Sequence, residues 1–275
     1  MSKPFKLCIL FGDGADRPVD QIVPGWEMAE VPLCIFAAPF HSDAVWKKNK
    51  AQIKAWNLPP IRMASHFLSD FGLVATGPGV DGEQLKFWSS RAFPRLAEWG
   101  VKAAGVYGSF FKVVPGFSKT KTMDQAIKFC HMIGDMAKKH NMQIALEPMG
   151  APNTLWPLYR DGLEFMKEVG HKSVKIMADL AYFLERGQAL EDILLEPEAC
   201  LHVHMAGEHG QPGLGNRVEV HTKLFRILRD MKYTRGVSAA CPWASSVPGQ
   251  PLNFAEENAK SLAYMKMIRD KVYAE

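Results

Sequence analysis

Three short apolar runs in the second half of the chain decide the fold: Gln143-Ile-Ala-Leu-Glu147, Val174-Lys-Ile-Met-Ala-Asp179 and Leu201-His-Val-His-Met205. Each run has the length of a β-strand, and the residues between consecutive runs place apolar side chains at helical spacing. Strands that alternate with helices form βα units, which bring consecutive strands together in a parallel sheet. The runs therefore predict a parallel sheet with helices packed outside it.

The same alternation extends towards both ends of the chain. The strand candidates are Phe5–Phe11, Trp26–Val31, Ile61–Ser65, Ala103–Tyr107, Gln143–Glu147, Val174–Asp179, Leu201–Met205 and Gly236–Ala240. The helix candidates are Asp43–Trp56, Gly82–Trp99, Met123–His140, Arg160–Val169, Ala189–Leu194, Thr222–Met231 and Phe254–Val272. Segment 12–24 is rich in Asp, Pro and Gly and predicts an irregular turn with a short helix. Eight strands in 275 residues favour an α/β fold of one domain, a (β/α)8 TIM barrel over 1–275, although a doubly wound sheet has the same alternation.

Composition narrows the class of protein. The net charge of +4 is small and the Lys and Arg residues are scattered, so we expect no nucleic-acid partner. Five cysteines without a C-x-x-C pair argue against disulfides and zinc knuckles and favour a reducing cytoplasm. The apolar run 7–11 is too short for a signal peptide or a membrane span, so a cytoplasmic protein without a membrane contact is expected.

Ionisable side chains mark the ends of several strands. In a barrel, catalytic groups lie at the carboxyl ends of the strands, a rule that selects Glu147, Asp179 and His204. The period of two along a strand places His202 and His204 on one side, facing the barrel interior. One Glu, one Asp and one His are suitable ligands for manganese, magnesium, cobalt or zinc. The pattern therefore predicts a divalent metal site.

Each of these residues also has a purely structural interpretation. A strand-end carboxylate often caps a loop or a helix. The deeper position of His202 favours a hydrogen-bonded core histidine over a metal ligand. His66, at the end of the third strand, is either a substrate contact or an ordinary loop histidine.

Four motifs, in order along the second half of the chain, resemble a known superfamily. They are Ile144-Ala-Leu-Glu-Pro-Met149, Val174-Lys-Ile-Met-Ala-Asp-Leu180, Leu201-His-Val-His-Met-Ala-Gly-Glu208 and Val237-Ser-Ala-Ala-Cys-Pro-Trp243. They look like the strand motifs of the xylose isomerase-like sugar isomerase and epimerase superfamily. In the first half only the general layout matches, including Glu30 after the second strand.

The resemblance implies roles for particular residues. It implies Glu147, Asp179 and His204 as metal ligands, and Glu147 also as the general base on a substrate C–H. It implies a carbohydrate substrate and a homo-oligomer. Tyr182 stands where epimerases often place a histidine, and Gln211 where an arginine often precedes Pro-Gly, so both are expected substrate contacts.

Ala240 departs from the pattern of the superfamily. Epimerases carry a second glutamate at this position, and a methyl group neither binds a metal nor moves a proton. Glu208, His66 or His209 could substitute for the missing acid. Three explanations stay open: an engineered inactive variant, a member that uses three ligands for isomerase or lyase chemistry, or a member that only binds.

The leading hypothesis is a metal-dependent sugar or keto-polyol isomerase or epimerase that acts through an enediolate. The main alternative is a catalytically impaired or non-catalytic sugar-binding barrel. A lyase or dehydratase, and a nuclease that resembles AP endonucleases, are weaker alternatives. The nuclease would need more metal ligands and a cationic groove, and the sequence offers neither.

Overall fold

Eight parallel strands pair in chain order and close into a barrel, because β1 pairs with both β2 and β8. The strands are β1 (Lys6–Leu10), β2 (Met28–Pro32), β3 (Ile61–Ser65), β4 (Ala103–Tyr107), β5 (Gln143–Glu147), β6 (Val174–Asp179), β7 (Cys200–Met205) and β8 (Gly236–Ala239). This computed structural model describes residues 3–10, 21–56, 58–65, 68, 71–151, 153–240 and 242–275. The expected TIM barrel is confirmed.

Helices connect the strands and cover the outside of the barrel. The α-helices are α1 (Leu33–Phe36), α2 (Asp43–Lys54), α3 (Gly82–Glu98), α4 (Lys119–Lys139), α5 (Tyr159–Val169), α6 (Leu180–Glu185), α7 (Val218–Asp230) and α8 (Phe254–Ala274). Short 3-10 helices occupy Gly108–Phe110, Leu190–Leu195 and Pro197–Ala199. Within the described ranges, no helix is both long and apolar enough to cross a lipid bilayer.

The sequence predicted β3, β4, β5 and β6 to the residue, and most helices within a few residues. Helix α4 begins earlier than predicted because the Ser118 hydroxyl caps it, accepting a hydrogen bond from the Lys121 N–H at 3.3 Å. The helix predicted at Ala189–Leu194 is a 3-10 helix, which Pro197 keeps short by restricting the residue before it. Helices α1 and α6 were not predicted. The turn predicted for 12–24 falls largely outside the described residues.

The barrel interior has an apolar layer near the amino ends of the strands. This interior layer consists of Met63, Ala103, Ala145, Met177 and Leu201, all buried. The strict period of two that turns His202 inward would place Leu201 on the opposite side of the strand, against the helices. The pairing of β6 with β7 shifts by one residue between Ile176 and Met177, and this bulge turns Leu201 inward. Polar side chains lie on the carboxyl side of this layer.

No disulfide joins the cysteines that the structure describes, Cys8, Cys34, Cys130 and Cys200. Three of them are buried.

A buried histidine ties the last two helices to the end of β7. His221 on α7 is fully buried, with Nε2 2.9 Å from the Ala206 carbonyl oxygen and Nδ1 2.7 Å from the Tyr264 hydroxyl on α8. Burial lowers the pKa of His221 to about 4, and Arg217 adds to this effect although the bond to Ala206 opposes it. The ring is therefore neutral near pH 7, with Nε2–H donating to Ala206 and Nδ1 accepting from Tyr264.

The lowered pKa of His221 predicts that the folded protein loses stability in mild acid. Below pH 6.5 the unfolded chain binds a proton at His221 that the folded protein does not bind until about pH 4. The free energy of unfolding should therefore fall by up to about 3 kcal/mol from this group between pH 6.5 and 4. Urea unfolding of wild type and His221→Leu across this range measures the difference between their stabilities, which should shrink as the pH falls. Tyr264→Phe keeps the titrating ring and should retain the pH dependence, whereas a pH-independent difference for His221→Leu would contradict the assignment.

Candidate metal centre at the carboxyl ends of the strands

Glu147, Asp179 and His204 meet at the carboxyl end of the barrel. Glu147 is the last residue of β5, Asp179 is the last residue of β6, and His204 is the penultimate residue of β7. His204 Nδ1 lies 3.2 Å from Glu147 Oε1 and 3.4 Å from Asp179 Oδ2. One ligand atom from each of the three residues lies within 4.8 Å of the others. The three side chains that the strand-end rule selected therefore converge in the structure.

The three side chains are buried, and this changes the acidity of Glu147. Burial raises the pKa of the Glu147 carboxyl to about 7. The nearby His204 ring opposes the rise, whereas Asp179 and Glu30 add to it by charge repulsion. Two carboxylates so close together repel each other unless a positive charge lies between them.

Asp179 divides its two carboxylate oxygens between two tasks. Oδ1 accepts a hydrogen bond from the Ala181 N–H at 2.7 Å and caps the amino end of α6. Oδ2 faces His204. Asp179 is therefore a helix cap, one of its two interpretations in the sequence, and its second oxygen is directed towards His204, where the predicted ligand role would place it.

Glu30 holds the opposite edge of the His204 ring. Glu30, expected after the second strand, lies within β2 inside the barrel, and its oxygens lie 3.0 and 3.1 Å from His204 Nε2. A histidine that binds a metal through one ring nitrogen commonly donates the other N–H to a carboxylate, which fixes the ring orientation. The Glu30 contact therefore leaves Nδ1 as the nitrogen that faces Glu147 and Asp179.

Glu30 also joins two other buried polar groups. His202 Nε2 lies 3.0 Å from Glu30 Oε2 and 2.8 Å from Ser238 Oγ, and the Ser238 hydroxyl donates to Glu30 at 2.5 Å. His202 is thus the hydrogen-bonded core histidine that the sequence predicted. Burial alone would raise the pKa of Glu30, but His204 and His202 hold it well below its usual range.

The pKa of His204 is also shifted. Burial alone would lower it, but Glu30, Asp179 and Glu147 together raise it well above 6.5. The protonated ring acts as the positive charge among these carboxylates. A divalent cation that displaces the Nδ1 proton would take over this charge.

Two groups of side chains have the donor atoms of a metal site: Glu147 with Asp179 and His204, and Glu30 with His202 and His204. In the second group the side chains already bond to one another, since Glu30 accepts hydrogen bonds from both rings and from Ser238. These bonds occupy the atoms that would bind a metal. In the first group, the donor that lies between the two carboxylates among the described residues is the Nδ1–H of His204. The donor set of Glu147, Asp179 and His204 therefore fits a divalent metal, and Glu30 fits the supporting role.

Other predicted site residues lie elsewhere around the carboxyl end. Glu208 is half-exposed and accepts a hydrogen bond from the Asn216 N–H at 2.8 Å. Gln211 is buried, and its amide bonds to Ala244 and to Glu257 on α8. A substrate contact by Gln211 would require these bonds to break.

The remaining predicted contacts stay predictions. Tyr182 is half-buried on α6, and His66 lies outside the described residues. Ala240 directly follows β8 and is buried, with its N–H donating to the Met205 carbonyl at 3.0 Å. Two positions after the inward-facing Ser238, the Ala240 methyl group is on the inward row of the strand.

Gly108 is a site residue that sequence reasoning missed. A Cβ at this position would lie 2.9 Å from the Glu147 carbonyl oxygen and 3.1 Å from Trp156 Nε1. Only glycine lets the start of this 3-10 helix pack so closely against the end of β5. Gly108 therefore helps to fix the backbone that carries Glu147.

Comparison with known families gives a match over most of the chain. The family model described as xylose isomerase-like TIM barrel matches residues 25–268, which include β2 to β8 and all of the candidate metal centre. The chain belongs to the xylose isomerase-like TIM barrel family. A search of curated protein sequences gave no match.

Solved structures share the fold of this barrel family at low sequence identity. D-psicose 3-epimerase from Clostridium cellulolyticum H10, solved with D-tagatose, has a TM-score of 0.75 and 15% identity over 98% of this chain and 99% of that chain. 3-keto-D-glucoside 4-epimerase from E. coli has a TM-score of 0.70 and 20% identity, covering 96% and 99%. An AP endonuclease family 2 protein from Brucella melitensis has a TM-score of 0.66 and 15% identity, covering 90% and 95%. Proteins named for different activities therefore share this fold.

The donor set of Glu147, Asp179 and His204 predicts the metal content of the protein. After incubation with Mn²⁺ and desalting, the wild-type protein should retain about one ion per chain, because two carboxylates and an imidazole converge there. Glu147→Ala should retain far less, as measured by elemental mass spectrometry. Glu168→Ala, the same change on the exposed face of α5, is the matched control and should retain the wild-type amount. Equal manganese in wild type and Glu147→Ala would contradict the assignment.

The contact of Glu30 with His204 predicts the effect of substituting Glu30. Glu30→Gln should weaken Mn²⁺ affinity about 10- to 100-fold, because a neutral amide holds the His204 ring less firmly. Isothermal titration calorimetry measures the affinity, and circular dichroism checks that the barrel is folded. Ser238→Ala removes a hydrogen bond from Glu30 without touching His204, so its loss should be smaller. An unchanged affinity in Glu30→Gln would mean that His204 is oriented by other contacts.

Proposed function

We propose that this barrel is a metal-dependent isomerase of a small sugar or keto-polyol, and that Glu147 removes the substrate proton to give an enediolate. The observation that carries the proposal is the position of Glu147. Its carboxyl is buried at the carboxyl end of the barrel, 3.2 Å from His204 Nδ1, and its pKa is raised to about 7. The carbohydrate substrate and the divalent metal are parts of the same proposal.

The raised pKa suits Glu147 to general-base catalysis. A base works best when its pKa is near the working pH, because it is then both substantially ionised and strong enough to accept a proton. An ordinary exposed glutamate, with a pKa near 4.5, would be ionised but a weak base. Burial of Glu147 therefore raises its basicity in the metal-free protein.

Asp179 and His204, together with Glu147, would hold the divalent metal. When bound, the metal would supply Lewis acidity towards the substrate oxygens and offset the negative charge of the enediolate. Glu30 would keep the His204 ring in place through Nε2. Asp179 would be held by its own bond to the start of α6.

Ala240 favours isomerisation over epimerisation. Inversion at carbon needs a proton acceptor on one face and a proton donor on the other. The methyl group of Ala240 supplies neither, and Glu30 is fully engaged with His202, His204 and Ser238. A single base returns the proton to the same face of the enediolate, at the original carbon or at its neighbour. This second outcome interconverts an aldose and a ketose.

The comparisons support the substrate class. Two of the structures with this fold are named as epimerases of a ketose and of a keto-glucoside, which are carbohydrates that carry a carbonyl group. Proton removal next to that carbonyl would require the same kind of base.

The test is solvent exchange at the substrate carbon. The Mn²⁺-loaded protein is incubated in D2O with a panel of ketoses, aldoses and inositol derivatives, and NMR follows deuterium incorporation next to the carbonyl. Glu147→Gln should reduce incorporation by at least about 100-fold. Asp179→Asn is the comparison variant, because added Mn²⁺ should restore its activity but not that of Glu147→Gln. Exchange by Glu147→Gln at the wild-type rate would contradict the role of Glu147 as base.

The products separate isomerisation from inversion. Wild type should interconvert an aldose and a ketose without forming the epimer, and Ala240→Glu should begin to form the epimer. Epimer formation by wild type would show a second base elsewhere and contradict the single-base proposal.

A binding protein without turnover is the second candidate, and Ala240 is the observation that favours it. Saturable carbohydrate binding without deuterium exchange, in protein that retains Mn²⁺, would support this candidate over the isomerase.

A further inference from the structure

A second cavity opens at the opposite end of the barrel, where the strands begin. Its volume is about 310 Å³, which is the size of a site for a small molecule. Its inner wall is apolar and includes Met28, Met63, Ala103 and Leu201. Most of these side chains also belong to the apolar layer that closes the barrel interior.

The outer rim of this cavity is cationic. Arg62, Lys102 and Arg235 line it, each just before or at the start of a strand. None of the described residues that line the cavity is an Asp or a Glu. Three positive charges without a carboxylate among them create a local preference for an anion.

Both guanidinium groups are anchored by backbone carbonyls. Arg62 Nη1 donates to the carbonyl oxygens of Ile61 and Gly100 at 3.2 and 3.0 Å. Arg235 Nη1 donates to the Cys200 carbonyl at 2.6 Å. Among the described residues these bonds engage Nη1 of each group, so its other N–H groups can donate to a ligand. Since a guanidinium has five donors in a rigid plane, anchoring one nitrogen also orients the others.

The cations of the rim have few acidic partners. The ion pair described for Arg235 is with Glu198, at 3.9 Å, and the Glu198 side chain is 94% exposed, so water screens this contact. For Lys102 no ion pair is formed with any of the described residues. Binding of an anion would therefore not require a strong internal salt bridge to break.

We propose that this cavity binds a small carboxylate that carries a short apolar chain. The carboxylate would contact the cations of the rim, and the chain would lie on the methionine, alanine and leucine side chains of the inner wall. Phosphate would satisfy the cations but would leave the apolar wall facing water. We therefore assign the ligand to the organic acids, because an inorganic anion has no apolar part to cover the inner wall.

The cavity also borders the buried polar group that supports the metal centre. The His202 ring lines it, with Cε1 and Nδ1 next to Gly236, and Nε2 of the same ring contacts Glu30. One imidazole therefore separates the cavity from the carboxylate that orients His204. The ligand would bind at the far end of the barrel from the substrate.

The test uses hexanoate as the probe and methyl NMR of the protein labelled at methionine Cε. Met28 and Met63 line the cavity, so their methyl signals, assigned by Met→Leu substitution, report where the probe binds. Hexanoate should bind saturably in the millimolar range and shift these two signals. The double variant Arg62→Gln and Lys102→Gln should bind at least about tenfold more weakly, since it loses two charge-assisted contacts. Lys119→Gln, the same change at the other end of the barrel, should bind as wild type does.

Two further probes test the chemistry of the ligand. Hexanol lacks the charge and inorganic phosphate lacks the chain, so each should bind at least about tenfold more weakly than hexanoate. The proposal is overturned if hexanoate does not shift the Met28 and Met63 signals, if the double variant binds it equally well, or if phosphate binds as tightly. Circular dichroism and the metal content of the double variant show that the barrel and its opposite end are intact.

Discussion

The hydrogen bonds between Glu30 and His204 connect the interior of the barrel to its chemistry. They join β2 to β7 across the barrel, between residues separated by 174 positions in the chain. They fix one edge of the imidazole and thereby direct the other edge towards Glu147 and Asp179. Without this carboxylate, a buried ring would be free to rotate, and burial would favour its neutral form. Glu30 thus contributes both to the position and to the positive charge of His204.

The pKa shifts in this small region arise mainly from burial and from contacts among buried groups. Three carboxylates and two imidazoles are packed inside the carboxyl half of the barrel, and each shifts the pKa of its neighbours. Glu30 stays ionised because two rings donate to it, whereas Glu147 loses acidity because burial outweighs its single ring contact. The two glutamates therefore have opposite tendencies, since the pKa of Glu30 is lowered and that of Glu147 is raised.

The sequence predicted the barrel because short strands and amphipathic helices follow from local periodicity of apolar residues. It also predicted that Glu147, Asp179 and His204 lie on one edge, since parallel strands end together. The partnership of Glu30 with His204 was not predictable in this way, because no local pattern links two residues on distant strands. The sequence signal for this partnership is Glu30 itself, a single carboxylate at an inward position of the otherwise apolar strand Met28–Pro32. The inward turn of Leu201 depends on a pairing shift that sequence periodicity cannot show.

The two tasks of Asp179 affect how mutations in this barrel family should be interpreted. One oxygen caps a helix and the other faces His204 in the candidate metal centre, so selection for folding alone would preserve an oxygen-bearing side chain here. A descendant that had lost its chemistry could keep Asp179 for many generations. Glu147 has no such structural duty among its described contacts, and its burial favours its neutral form. In evolutionary comparisons, therefore, retention of Glu147 is the better marker of a working enzyme.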